Sequence, residues 1–275
     1  MKTGKVGLFT IAFGVVIGGF LLIRLTMIPS LTSDSAQLGK AIRNNELVSK
    51  VPKFSDITDV KAKKRAFFNF LRPSVKHQNA IIEDERQFLI GIRTQLENEN
   101  KLTDADEFRL QQIAEKYQYT SRRINTDTIN KLLVRVDVVP EQMVLIQAAN
   151  ETGWGSSRFA REGLNFFGQW CFRKGCGLVP QSRSDGLSHE VAVFKTVEDS
   201  VASYMRNLNS NAAYSLLRSI RADMRAENQE PSANKLVYGL VNYSERQEAY
   251  IDELLEMLRQ NQPYLVETNE KIPAV

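Results

Sequence analysis

Histidine is almost missing. The chain of 275 residues holds His77 and His189 and no others, and cysteine is as scarce, with Cys171 and Cys176 alone. A structural zinc site takes four ligands of these types and a catalytic one about three, so no metal centre is expected. Charge of one sign is lacking too: 36 Lys and Arg face 32 Asp and Glu, a formal net charge of +4 with a pI near 9.0. That mild excess favours anionic partners such as anionic lipid or an acidic polymer. The basic residues are scattered, however, and no stretch mixes them with aromatics as nucleic-acid recognition requires, so no nucleic-acid partner is expected. Internal repeats are absent. What remains is 43% hydrophobic and 25% charged, an ordinary globular balance that excludes a fibrous, collagenous or wholly disordered chain.

Long apolar runs are lacking with one exception. Lys2 and Lys5 precede an uncharged stretch from Val6 to Ile23 that Arg24 closes. It is longer than a usual signal-peptide core and just long enough to cross a bilayer, although Gly7, Thr10, Ala12, Gly14, Gly18 and Gly19 dilute it. Ser33-Asp34-Ser35-Ala36 puts an aspartate where a cleavage site prefers a small residue. Residues 1–28 therefore read as a signal anchor, with a cleaved signal peptide as the alternative. The lysine flank predicts a cytoplasmic N-terminus and export of the rest. In an oxidising compartment, Cys171 and Cys176 with Gly175 between them can close a short disulfide loop. Residues 29–54 turn polar and suit a linker.

Helical periodicity then takes over. Ala66, Phe67, Phe70 and Leu71 form a short amphipathic piece that Pro73 is expected to stop. Ile81, Ile82, Phe88, Leu89, Ile92 and Leu96 give a second stripe. Thr103 caps a helix through Tyr117, and Thr126 or Asp127 caps another. Residues 55–137 are thus a helical lead-in. Pro140 opens a helix that runs from Glu141 to Glu151 and ends at Gly153-Trp154-Gly155. From Asn165 to Phe194 glycines and alternation predict loops and one small hairpin. Thr196-Val197-Glu198-Asp199 and Ser244-Glu245-Arg246-Gln247 read as capping boxes of later helices. A second domain spans 138–262, and 263–275 reads as a flexible tail. The fold class is mainly α with a small irregular or β-hairpin lobe.

Val144, Ala148 and Glu151 are spaced four and three apart, which sets them on one helical face. A carboxylate among small apolar side chains at a helix C-terminus is desolvated and meets the negative end of the dipole. Both effects raise its pKa. A raised carboxylic acid is what glycosidic bond cleavage needs, since the leaving oxygen must receive a proton near neutral pH. The glycines around Trp154 would let a sugar ring approach the backbone. On spacing alone, a water-facing glutamate at a helix end fits equally.

Ala148-Ala149-Asn150-Glu151-Thr152-Gly153-Trp154-Gly155 resembles the Ala-x-x-Glu-Ser-Gly-Trp-Gly signature of the β-N-acetylglucosaminidase family of bacterial cell-wall hydrolases. Asn165-Phe166-Phe167-Gly168 is similar to that family's Asn-Leu-Phe-Gly block. Phe194 to Asp199 with Tyr204, Asn211-Ala212-Ala213-Tyr214, and Tyr243 with Tyr250 resemble three later blocks, the last with a spacing of seven rather than six. The resemblance spans residues 140 to 258 and implies a lysozyme-like catalytic domain. It implies hydrolysis of the β-1,4 bond after N-acetylglucosamine in peptidoglycan, with Glu151 as general acid and Tyr243 beside it. Trp154, Asn165, Phe166, Phe167, Gly168 and Tyr250 would bind substrate, although core packing suits the phenylalanines as well. The family's Thr-x-Glu-Tyr block is absent here, so Glu190 or Asp185 must supply a second carboxylate, with Glu190 better placed. Failing both, the N-acetyl group of the substrate could act as nucleophile. No metal or organic cofactor is implied. The expected partners are peptidoglycan glycan strands and, through the N-terminal segment, the inner membrane, at its periplasmic face or in the periplasm. A lytic transglycosylase or muramidase, or a non-catalytic peptidoglycan-binding scaffold, are the alternatives.

Overall fold

A short 3-10 turn, Phe54–Asp56, leads into helix α1, Val60–Glu97, in a computed structural model that describes residues 51–173, 175–180 and 190–266. The expected signal anchor, nearly all of the linker, Asp185 and the tail beyond 266 lie outside the described residues. No described helix is long and apolar enough to cross a membrane. Asp59 caps α1, its carboxylate accepting the Ala62 N–H at 2.7 Å.

The expectation that Pro73 stops the first helix is corrected: α1 continues through it for more than twenty residues. Proline removes one hydrogen bond to the carbonyl four residues earlier and costs about 3 kcal/mol. Pro73 and Asn69 both lie on the exposed face, where water can take up that carbonyl. On the opposite face Phe67, Phe68, Leu71 and Val75 are fully buried. Each of these contributes roughly 1.5–3 kcal/mol, so burial wins. The last helix repeats the device at Pro263, with Pro263 and Arg259 exposed and Leu265 buried beyond them.

Helix α2, Asp104–Lys116, starts with a capping box of Thr103 and Asp106. Helix α3, Thr126–Arg135, is capped not by Thr126 or Asp127 but by Asn125, whose side chain accepts the Thr128 N–H at 2.9 Å. Helix α4, Glu141–Thr152, is buried at every position from Met143 to Ala149. A helix apolar all round belongs inside a core, and α4 lies against α1 and against the C-terminal helices. Helix α5, Arg158–Gly163, precedes strands β1 (Trp170–Cys171), β2 (Gly177–Leu178) and β3 (Glu190–Ala192). They form one antiparallel sheet in the order β1-β3-β2, with Trp170 opposite Val191 and Gly177 opposite Ala192.

Helix α6, Val197–Ser210, begins at the Thr196–Asp199 capping box. A 3-10 turn, Ala212–Tyr214, joins it to α7, Ser215–Ala226; α8, Ala233–Leu236, and a second turn, Val237–Leu240, come next. Helix α9 is Glu248–Leu265. It does not begin at the expected Ser244 box: Ser244 to Gln247 form a turn, and Gln247 takes φ +45 with no side-chain cap. The fold is mainly α with a small β lobe, as periodicity predicted. Residues from Val51 onward cluster as one unit, and one apolar core runs from Phe54 to Leu265.

An arginine hub closes the C-terminal end of α3. Arg86 donates to the carbonyls of Leu133 and Val136, and Arg221 to those of Val134, Arg135, Asp137 and Val138. Those of Leu133, Val134 and Arg135 are helix-end carbonyls that lack intrahelical partners, and the others belong to the segment that follows. Asp137, 2% exposed, balances the charge through a paired contact with Arg225 at 2.9 and 3.1 Å. Burial still holds the Arg221 guanidinium down at about 10 despite Asp137.

Candidate active site

Glu151 sits in the last turn of α4, and the chain after it takes a left-handed path. Gly153, Trp154 and Gly155 have φ of +54, +60 and +76. The Trp154 N–H reaches back to the Ala149 carbonyl at 2.9 Å, and the Thr152 hydroxyl donates to the Ala148 carbonyl while accepting the Gly155 N–H at 2.9 Å. These bonds satisfy the end of the helix as a Schellman-type cap does. Gly155 has a second constraint: a Cβ there would lie 2.4 Å from the Phe54 ring. The turn thus holds Glu151 at the end of a core helix and locks against the segment before α1.

Around the carboxylate the tyrosines form a directed chain. The Tyr250 hydroxyl donates to Glu151 Oε1 at 2.8 Å. The Tyr250 proton is committed to that direction because Gln147 Nε2 donates to the Tyr250 hydroxyl oxygen at 3.0 Å. Gln147 is in turn oriented by Tyr204, whose hydroxyl donates to Gln147 Oε1. Gln147 and Tyr204 are 0% and 1% exposed, so water cannot substitute for either. Glu151 Oε1 is therefore the acceptor, and Oε2, on the side of Gly168, is the oxygen left to carry a proton. A Cβ on Gly168 would come within 3.4 Å of Oε2 at a backbone φ of +61.

Burial pushes the Glu151 carboxyl above its ordinary range; the Tyr250 hydrogen bond and the Arg246 charge oppose this without cancelling it, and Glu253 adds to it. Tyr250 and Tyr243 are likewise raised, chiefly by burial and then by their charged neighbours, so both remain neutral donors. The site offers a carboxyl with a raised pKa beside a fixed neutral donor.

Of the residues expected at the site, the structure brings Glu151, Gly168, Tyr243 and Tyr250 together. The roles of the two tyrosines change, however. Tyr250 touches the acid, while the Tyr243 hydroxyl serves the Phe167 carbonyl at 2.6 Å and its ring stacks on Tyr250 with centroids 5.7 Å apart. Phe166 and Phe167 are 0% and 1% exposed and are packing groups, with Phe167 stacked on Tyr204 at 4.0 Å. Asn165 is buried as well. Its amide donates to the carbonyls of Gln169 and Ala192, and its Oδ1 accepts the N–H groups of Phe167 and Gln169. It shapes the loop that carries Gly168 rather than facing a ligand. Trp154 leans on Phe67 and Phe68 with Lys64 over its ring at 5.0 Å, so much of the indole is occupied by α1.

Glu190, expected as the second carboxylate, is corrected to a loop clasp. It is 5% exposed, and its two oxygens accept the N–H groups of Gly175 and Gly177 at 2.9 and 2.8 Å. Cys171 and Cys176 form a disulfide in the same loop. Both sulfurs and a Glu190 oxygen lie within 4.8 Å of one another, but the sulfurs are bonded to each other and are not thiolate ligands.

Gln147 escaped the sequence reading, and Tyr204 entered it only as part of a later block, without a role beside the acid. Gln147 is four residues before Glu151, on the same helical face; a polar side chain in an otherwise apolar helix was the available signal. A cleft of about 770 Å³ between α2 and α3 contains none of the residues hydrogen-bonded to Glu151. A smaller groove of about 430 Å³, bordered by Gln169, Arg206 and Tyr214, likewise includes neither Glu151 nor Tyr250 in its lining.

The glucosaminidase family model, described as mannosyl-glycoprotein endo-beta-N-acetylglucosaminidase, matches residues 126–263. Protein bax of Escherichia coli (strain K12) is 34% identical over 224 residues, covering 80% of this chain and 77% of that protein. No solved structure matches significantly.

Proposed function

Since the chain belongs to the glucosaminidase family, we propose that it hydrolyses peptidoglycan glycan strands at the β-1,4 bond after N-acetylglucosamine, with Glu151 as general acid. The observation that carries this reading is a half-buried glutamate whose carboxyl burial pushes above its ordinary range, with the Tyr250 hydroxyl donating to one of its oxygens. Glu151 Oε2 protonates the glycosidic oxygen as the anomeric C–O bond breaks, and the bonding electrons leave with that oxygen. The carboxylate that remains is then stabilised by the Tyr250 hydroxyl more strongly than the acid was, because hydrogen bonds to ions are the stronger ones. An interaction that gains strength along the reaction path accelerates it.

Among the described residues no second carboxylate shares the Glu151 network: Glu190 is spent on the loop, and Glu253 pairs with Arg246 at 2.5 Å. The 2-acetamido group of the sugar is therefore proposed as the internal nucleophile. Water then opens that intermediate and gives a proton to Glu151, which restores the acid. The site is proposed to act outside the cytoplasm, at the periplasmic face of the inner membrane or in the periplasm, reached through the N-terminal segment. Digestion of purified sacculi tests the reading. Reducing N-acetylglucosamine ends support it; anhydro-muramyl ends would reassign the protein as a lytic transglycosylase. Glu151→Gln should cut turnover by several orders of magnitude at unchanged fold, and intact turnover would remove the acid from the mechanism.

A further inference from the structure

Among the described residues, four tyrosines and one ion pair surround the acid. Tyr204 comes from α6, Tyr214 from the 3-10 turn after it, Tyr243 from the loop before α9 and Tyr250 from α9 itself. Burial raises all four hydroxyls, so the tyrosines stay neutral. From α1, Lys64 is turned onto the Trp154 ring at 5.0 Å. The charges that act on the Glu151 carboxyl are those of Arg246 and Glu253, in opposite directions.

Ser244 builds the turn that presents Arg246. Its hydroxyl accepts the Arg246 N–H at 3.3 Å and its carbonyl the Gln247 N–H at 3.0 Å. Gln247 then takes φ +45, a region that residues with a side chain rarely adopt and that collects at functional sites. The Arg246 guanidinium lies 5.8 Å from the centre of the Tyr250 ring, within cation–π range, and donates to Glu253 Oε2 at 2.5 Å. Glu253 is on the turn of α9 that follows Tyr250, so the ring and the second carboxylate share one face. Among the described residues Arg246 makes no hydrogen bond to Glu151. That matters, because a guanidinium fork fits a carboxylate with two parallel hydrogen bonds and would hold Glu151 ionised, with no proton to donate.

We propose that Arg246 is a positioning residue and Glu253 its decoy carboxylate: Glu253 holds the cation over the Tyr250 ring, where it acts on the acid without bonding to it. The proposal rests on the hydrolase reading above for the role of the acid. A cation over the ring polarises the Tyr250 hydroxyl and makes it a stronger donor to Glu151 Oε1, while Oε2 is left without a cationic partner. The two side chains are 56% and 39% exposed, so salt should screen their effect.

Titration of the full chain with isotope-labelled glutamate, followed by the carboxyl carbon shifts in NMR, reads the Glu151 midpoint once Glu151→Gln has identified its signal. It needs no substrate, so it does not depend on turnover. Arg246→Ala should raise the midpoint by about half a unit, and Glu253→Gln should lower it by as much or more, because the released fork can reach Glu151. Arg246→Lys keeps the charge and should stay near the parent. Both shifts should shrink at about 0.5 M salt. The basic limb of kcat/KM on purified sacculi should move in the same directions. A midpoint that stays or falls in Arg246→Ala overturns the proposal, as does a rise in Glu253→Gln. An Arg246→Lys midpoint displaced as far as that of Arg246→Ala makes packing rather than charge the cause and overturns it too. The expected shifts in a chain whose Glu151→Gln variant digests sacculi normally would leave this electrostatic arrangement standing and sink the hydrolase instead.

Discussion

Tyr250→Phe isolates one hydroxyl at the centre of the site. The ring stays, and with it the stack on Tyr243 at 5.7 Å; the donor to Glu151 Oε1 and the acceptor of Gln147 Nε2 are lost. A hydrogen bond to a carboxylate is worth about 1.5–3 kcal/mol and one to a neutral acceptor about half that. The hydroxyl therefore favours the ionised form of Glu151 by roughly 1 kcal/mol. At 1.36 kcal/mol for each pKa unit, its removal raises the acid by about 0.5 to 1 unit. A general acid works while protonated, so activity falls as pH rises through its pKa. The basic limb of the kcat/KM profile should move upward by that amount, while maximal turnover drops because the product carboxylate has lost its donor. The stranded amide of Gln147, fully buried, costs a further ~1–3 kcal/mol. At about 2–4 °C of Tm for each kcal/mol in a chain of this size, the melting point falls by several degrees. Tyr243→Phe is the control, since its hydroxyl serves Phe167: Tm falls and the limb stays. A basic limb that stays in place or moves down in Tyr250→Phe refutes the directed chain.

The folded pKa of Glu151 lies above its unfolded value, so the native state binds the extra proton and loses stability as pH rises between the two. Glu151→Gln should therefore melt higher than the parent at neutral pH, with the gain disappearing below the ordinary glutamate range; a lower Tm throughout would contradict the burial argument. Asp137→Ala strands Arg221 and Arg225 in the hub and should cost about 3–5 kcal/mol, read as a fall of roughly 10 °C or more in thermal unfolding. Gly168→Ala forces a side chain into the left-handed region at about 1–2 kcal/mol and crowds Glu151 Oε2, so kcat should suffer more than Tm. Replacing Cys171 and Cys176 by serine opens a loop whose closure is worth about 2 kcal/mol; the amides of Gly175 and Gly177 should then exchange hydrogen faster while those of α4 do not.

Legibility in the sequence followed the range of the forces involved. The helix that bears Glu151 was readable because Pro140, an apolar run and Gly153 are local signals at its two ends, and the Thr103 and Thr196 caps are local as well. The prolines misled because their effect depends on which face is wet: at Pro73 and Pro263 the lost bond is on the outside and the packed side chains within outweigh it. Ser244 resembled a cap, but the Ser244–Gln247 segment is a turn that delivers Arg246 over the Tyr250 ring at 5.8 Å. The division of labour between Tyr243 and Tyr250, and the capture of Glu190 by two glycine amides, depend on partners 76, 99, 15 and 13 residues away. No spacing rule reaches across such distances.

The backing of Trp154 by α1 has a consequence for any attempt to dissect the chain. The family match begins at residue 126, yet Phe54, Phe67 and Phe68 close the far side of the loop that succeeds the acid. Excising everything before that point would leave an oily socket open to solvent beneath an otherwise intact glutamate. Substitutions at these three rings should therefore be as poorly tolerated as substitutions beside the carboxylate itself, though none of the three ever meets a sugar.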